Sequence, residues 1–149
     1  MKGILWSLAI IGALSLGGCG GGDDDDGPSA SDSPYDAGPR AIGSPVNEEL
    51  AGVGEGLFKS KTCTTCHGFG MHTSGPDLAG VTRRRSEMWL EQQILHPDVM
   101  SKQDPITREL YRKYAVHMPN LKVKPEEAKA LIEYIKHKDR EMLRSGVTH

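Results

Sequence analysis

Two thiols and an imidazole stand within five consecutive residues, Cys63-Thr64-Thr65-Cys66-His67. Two cysteines flanking two residues, with histidine directly after, have the spacing of a c-type haem attachment. Each thiol can form a thioether to one haem vinyl group, and the adjacent imidazole then lies under the ring, within reach of the iron. Other chemistries fit less well. A thioredoxin-type dithiol follows a strand and opens a helix, whereas this pair follows a helical pattern and runs into a glycine-rich stretch. Structural zinc usually takes four ligands, often as two pairs. Only one such pair exists here, and His72, His96 and His117 lack a recognisable ligand spacing.

An iron held by His67 needs a second axial ligand on the other face of the ring. The candidates are Met71, Met88, Met100, Met118 and Met142, with histidines such as His96 and His117 as rivals. Met71 is too near His67 to cross the ring easily. Met88 and Met142 fall on helical patterns, where methionine usually fills space. Met118 stands at a chain break ahead of Pro119, which has no N–H to continue a helix. It follows His67 by 51 residues, enough chain to travel round a porphyrin. Met118 is therefore the favoured ligand, with Met100 still in play.

The elements that must position these groups read as helices. Asn47 is an N-cap candidate with Glu48 and Glu49 in the first turn, followed by Leu50, Val53, Leu57 and Phe58 at helical spacing. Gly52, Gly54 and Gly56 on that helix suggest close approach by another. Residues 59–85 should be mostly loop. Ser86 with Trp89, Leu90, Ile94 and Leu95 marks a second helix, stopped by Pro97. Residues 106–116 hold a third short run. Residues 125–143 form the clearest helix, with Pro125 in its first turn and Ala128, Leu131, Ile132 and Ile135 along one face. No stretch alternates with period two for long.

In this order the motifs resemble a class I c-type cytochrome. Gly54 and Phe58 precede Cys63, Gly75-Pro76-Asp77-Leu78 follows His67, and Met118-Pro119 precedes Leu131-Ile132-Glu133-Tyr134-Ile135. The resemblance spans residues 47–138. It implies an all-α fold wrapped around one covalent haem c with His67 and Met118 as iron ligands. It also implies that Pro76 seats the His67 ring, its carbonyl region accepting the imidazole N–H, and that Gly54 and Phe58 meet Tyr134 and Leu131 where the terminal helices cross. The stretch 96–114 is longer than in the most compact members. Thr82-Arg83-Arg84-Arg85, Trp89, Lys113-Tyr114 and Met118-Pro119-Asn120 resemble small cytochromes associated with nitrous oxide reductase. The three arginines suit a solvated face, haem propionates or a docking patch.

The start of the chain carries a different signal. Lys2 precedes fourteen residues, 3–16, that are apolar apart from two serines. That is short for a membrane span, which needs about 20 residues, and suits an export signal. Leu16-Gly17-Gly18-Cys19 resembles the lipobox of bacterial lipoproteins, which implies cleavage before Cys19 and its lipidation. Residue 20 is Gly rather than Asp, which leans toward the outer membrane over the inner. Of residues 20–40, seventeen are Gly, Asp, Ser or Pro, a composition that buries too little apolar surface to order itself. The expected division is a signal peptide at 1–18, a lipidated cysteine and disordered acidic tether at 19–46, and the cytochrome domain at 47–149. A tether of this length reaches roughly 30 Å.

Composition narrows the function classes. The chain has 149 residues, 18 basic and 20 acidic, for a formal charge of -2. That balance argues against a nucleic-acid partner. Three cysteines are too few for a disulfide scaffold. Aromatics make up only 5%, a thin core unless a porphyrin fills it. The expectation is a one-electron carrier rather than an enzyme, tethered by lipid on the periplasmic side of a respiratory chain. Its partners would be redox proteins. The donor would be a quinol-oxidising complex or its like. The acceptor would be a terminal oxidase or reductase, with nitrous oxide reductase among the candidates. A fixed subunit of a larger oxidoreductase and a haem enzyme or gas sensor are the alternatives.

Overall fold

The computed structural model describes residues 33–71 and 73–146. The signal segment, Cys19 and the Asp23–Asp26 run lie outside the described residues. Among the described residues six α-helices follow one another: α1 Glu48–Ser60, α2 Val81–Arg84, α3 Glu87–Leu95, α4 Pro97–Gln103, α5 Pro105–Tyr114 and α6 Pro125–Arg144. Among the described residues there is no strand, only an isolated bridge between Arg40 and Ser86.

The helix starts follow their local chemistry. Asn47 Oδ1 accepts from the Leu50 N–H at 3.0 Å, and Ser86 Oγ accepts from the Trp89 N–H at 3.1 Å. Each satisfies one of the donors that a helix start leaves open. At α6, Pro125 takes the first position and Glu127 reaches back to the Lys124 N–H at 2.8 Å. Pro97, expected to stop α3, also begins α4: the chain turns at His96, and the proline's missing N–H costs nothing in a first turn. Asp104 repeats this design at α5. It ends α4, its Oδ2 accepts from the Thr107 N–H at 2.7 Å, and Pro105 follows.

Helices α1 and α6 cross at close range. Gly54 faces the Ala130 backbone and Tyr134. Phe58 packs on Tyr134 with ring centroids 5.4 Å apart, and Phe69 closes a three-ring cluster at 5.8 Å from Phe58. The expected meeting with Tyr134 is present, and Gly54 also abuts the Ala130 backbone. Gly52 and Gly56 face open space and take no part in the crossing. On the other side of α6, Asp139 accepts from the N–H groups of Gly80 and Thr82 at 2.6 and 2.9 Å, which fixes α2 against the helix. Trp89, Leu90, Met100, Ile106, Ile132 and Ile135 form the core between α3–α5 and α6.

Residues 33–46 correct the expected boundary at 46/47. They pack on the domain. Ser33, Asp36 and Ala41 are buried. Asp36 accepts from the Ser86 N–H at 2.6 Å and pairs with Arg40 at 2.9 Å, while Ser86 Oγ donates to the Tyr35 carbonyl at 3.0 Å. Lys136 donates to the Pro45 carbonyl at 3.0 Å, and Arg140 to the Ile42 and Ser44 carbonyls. A segment too polar to order itself is ordered by side chains of α6 and the α2–α3 junction. Local composition does not reveal such partners.

Candidate functional site: a haem cradle

The two cysteines sit in a single turn. Thr62 adopts a left-handed conformation with φ 59°, and a 3-10 helix follows over Cys63–Thr65. The N–H groups of Cys66 and His67 both donate to the Cys63 carbonyl, at 3.2 and 3.0 Å. Cys63, Cys66 and His67 thereby reach the wall of one cavity of about 320 Å³. Both thiols are free and half-buried, and burial pushes the Cys63 thiol up from its ordinary pKa.

His67 is oriented from behind. Its Nδ1 lies 2.8 Å from the Pro76 carbonyl oxygen. A carbonyl only accepts, so Nδ1 carries the proton and Nε2 keeps its lone pair for a metal. Burial pulls the His67 pKa below the ordinary value, more than the Pro76 hydrogen bond raises it. The neutral ring is the form that ligates metal. Gly75 leaves room for this arrangement: a Cβ there would stand 2.7 Å from the Cys66 carbonyl oxygen and 3.1 Å from His67 Cε1.

The remaining walls are mostly apolar. They include Leu78, Val81, Leu90, Ile94, Leu131 and Ile135. Helix α5 ends at Ala115 in a left-handed conformation, φ 54°, and the following extended segment brings Met118 to the cavity. Met118 Sδ accepts a hydrogen bond from Gln93 Nε2 at 3.5 Å. Met100 is 1% exposed in the core and lines no part of the cavity, nor do Met71, Met88, Met142 and His96. His117 does line it, with its ring stacked on Tyr111 at 3.8 Å.

The three arginines part company. Arg84 and Arg85 line the cavity. Arg85 also lies 3.5 Å from Asp36 and over the Trp89 ring at 5.5 Å. Burial lowers its pKa, against the raising effect of Asp36. Trp89 Nε1 donates to Asp104 at 3.1 Å, so this tryptophan is a core residue with a satisfied N–H. Sequence reasoning missed Gln93, Thr107 and Asp104 as neighbours of the site. The one readable signal was Asp104-Pro105 with Thr107 three residues on, a helix start.

Among the described residues, no three His, Cys, Asp or Glu side chains gather as they would around zinc. The donors instead fit a haem: two thiols, a neutral imidazole and a thioether among the walls of one mostly apolar cavity. An all-α cradle with these groups defines a class I c-type cytochrome. The cytochrome c family model matches residues 52–139, and the chain belongs to that family. Its cofactor is one covalently bound haem c, with the histidine and methionine ligation typical of the class.

Solved structures agree. Cytochrome c from Rhodothermus marinus is 30% identical, with a TM-score of 0.63 over 65% of this chain and 83% of that one. An engineered form of a Rhodothermus marinus cytochrome c, Rma TDE, is 28% identical, with a TM-score of 0.63 over 74% of this chain and 94% of that one. The same engineered protein bound to a carbene intermediate gives a TM-score of 0.60 with the same identity and coverage. A search of curated proteins returned no match.

Proposed function

We propose that this cytochrome is a lipid-tethered, single-haem electron carrier on the periplasmic side of a bacterial cell envelope. Membership of the cytochrome c family makes haem-based electron transfer its chemistry. Bound haem supplies one-electron exchange between ferric and ferrous iron. Cys63 and Cys66 would hold it by thioethers, and His67, steadied by Pro76, would present Nε2 to the iron. Met118 would supply the second ligand. The apolar walls would keep water from the bound ring. The observation that carries the carrier reading is the convergence of two ligand types, His67 and Met118, on one cavity. With His67 and Met118 both holding the iron, no position would be left for a substrate, so the protein is read as a carrier and not an enzyme.

Lipidation of Cys19 rests on Leu16-Gly17-Gly18-Cys19. It would keep the domain near quinol-oxidising donors and terminal reductases or oxidases, raising their effective concentration. Nitrous oxide reductase is a candidate acceptor on the strength of the Thr82-Arg83-Arg84-Arg85 and Met118-Pro119-Asn120 motifs. Carbon monoxide binding to the reduced holo-protein is the deciding test. Slow or absent binding is expected of a carrier. Rapid binding would point to a labile sixth position and a catalytic or sensory haem, a question sharpened by the carbene-bound engineered relative.

A further inference from the structure

We infer that Gln93 is a positioning residue for the Met118 thioether, and that a hydrogen-bond relay, buried between Thr107 and Ser33, ties its amide to Ser33 in the N-terminal segment. The inference rests on Met118 being the second iron ligand, as proposed above. Gln93 Nε2 donates to Met118 Sδ at 3.5 Å, and the other end of the same amide, Oε1, accepts from Thr107 Oγ1 at 2.7 Å. The two ends of an amide are not interchangeable. With Oε1 held by a hydroxyl, the donating NH₂ group faces the sulfur; turned round, a carbonyl oxygen would oppose the sulfur lone pairs.

The Thr107 hydroxyl has one hydrogen and two acceptors within reach. Gln93 Oε1 is one; Asp104 Oδ2, at 2.9 Å, is the other. Which acceptor receives the hydrogen depends on how well Asp104 is served by others. That carboxylate is 0% exposed. Its Oδ2 takes the Thr107 N–H at 2.7 Å and Trp89 Nε1 at 3.1 Å, and its Oδ1 takes the Ser33 hydroxyl. Three donors satisfy the carboxylate and leave the Thr107 hydrogen to Gln93. Without Ser33, the carboxylate pulls harder on the same hydrogen, and the amide loses its lock. The buried bonds of Asp104 to Thr107 and Ser33 reinforce one another.

The consequence for the ligand has a sign. A donor on the thioether draws electron density from sulfur, so that sulfur stabilises ferric iron less and the reduction potential rises. Outer partners of a ligand tune a metal in this manner. The N-terminal segment leading into α1 therefore takes part in setting the potential.

The test uses the full-length holo-protein and three readouts: reduction potential, the far-red sulfur-to-iron band of the oxidised form, and the thermal midpoint. Gln93→Leu should lower the equilibrium constant for reduction about three- to tenfold, the range of one hydrogen bond, and shift the band. Thr107→Val should act in the same direction, with Thr107→Ser restoring the wild-type values. Ser33→Ala should give a smaller shift of the same sign. Thermal midpoints that fall while potential and band stay put in all variants would show a structural network only and overturn the inference. An unmoved potential in Ser33→Ala alone would overturn the link to the N-terminal segment. Met118→Ala is the control: a surviving band there means that Met118 is not the ligand, and both readings fall together.

Discussion

Gly54 and Ala130 meet backbone to backbone where α1 crosses α6: a Cβ on Gly54 would stand 2.0 Å from the Ala130 carbonyl oxygen and 2.8 Å from Tyr134 Cβ. No rotamer relieves such an overlap, because neither the Cβ nor the carbonyl has a free torsion. Gly54→Ala should push the helices apart and destabilise the holo-protein by about 3 kcal/mol, at the upper end of ordinary overpacking. Gly52 on the same helix faces open space, so Gly52→Ala should stabilise by about 0.5–1 kcal/mol through helix propensity. Urea unfolding of the two variants checks the pair, and a destabilised Gly52→Ala would refute the propensity argument.

The segment before α1 contributes to stability. Asp36 sits with its side chain 0% exposed beside Arg40 and Arg85 and accepts from the Ser86 N–H. Asp36→Ala leaves those donors short of an acceptor and should cost about 3 kcal/mol. A chain beginning at Ser33 should unfold like the mature protein, and one beginning at Asn47 at a clearly lower urea midpoint. Equal midpoints for the two truncations would show that residues 33–46 add nothing.

Covalent attachment is read by mass. The denatured mature protein should retain one haem. Cys63→Ser and Cys66→Ser should each weaken or abolish that retention. Haem that extracts into acidified organic solvent from the wild type would contradict the thioether linkage.

Two methionines separate ligand from core. Met118→Ala should abolish the far-red charge-transfer band, lower the potential and admit carbon monoxide, with the haem still covalently bound. Met100 is buried at 1% exposure away from the cavity. Met100→Ala should keep the band and cost about 2–5 kcal/mol through the cavity it opens. The reverse pattern of band loss would transfer the ligand role to Met100.

The proposed membrane attachment rests on one thiol, Cys19, outside the described residues. Cys19→Ser should release the protein from the membrane fraction and block normal processing. A native N-terminus with an unmodified Cys19 would exclude lipidation.

The attachment turn was legible in the sequence because its chemistry is local: Cys63, Cys66 and His67 must be neighbours along the chain to serve one ring. Helices α1, α3 and α6 were legible through caps and apolar spacing, which also act over a few residues. Helix α4 was not. Pro97 reads equally as a stop or a start, and only the turn at His96 decides between them. Of three glycines on α1, only the crossing geometry singled out Gly54, since close approach belongs to two helices and not to one. Residues 33–46 looked like tether for the same reason. Their few apolar groups order nothing alone, and the partners that hold them, Lys136, Arg140 and Ser86, lie 50 to 96 residues away. Of the relay from Ser33 through Asp104 and Thr107 to Gln93 and Met118, the sequence showed only the helix start at Asp104 and the chain break at Met118, not their connection. Ser33, Asp104, Thr107 and Gln93 are ordinary polar residues or caps until the fold brings them within hydrogen-bond distance of one another.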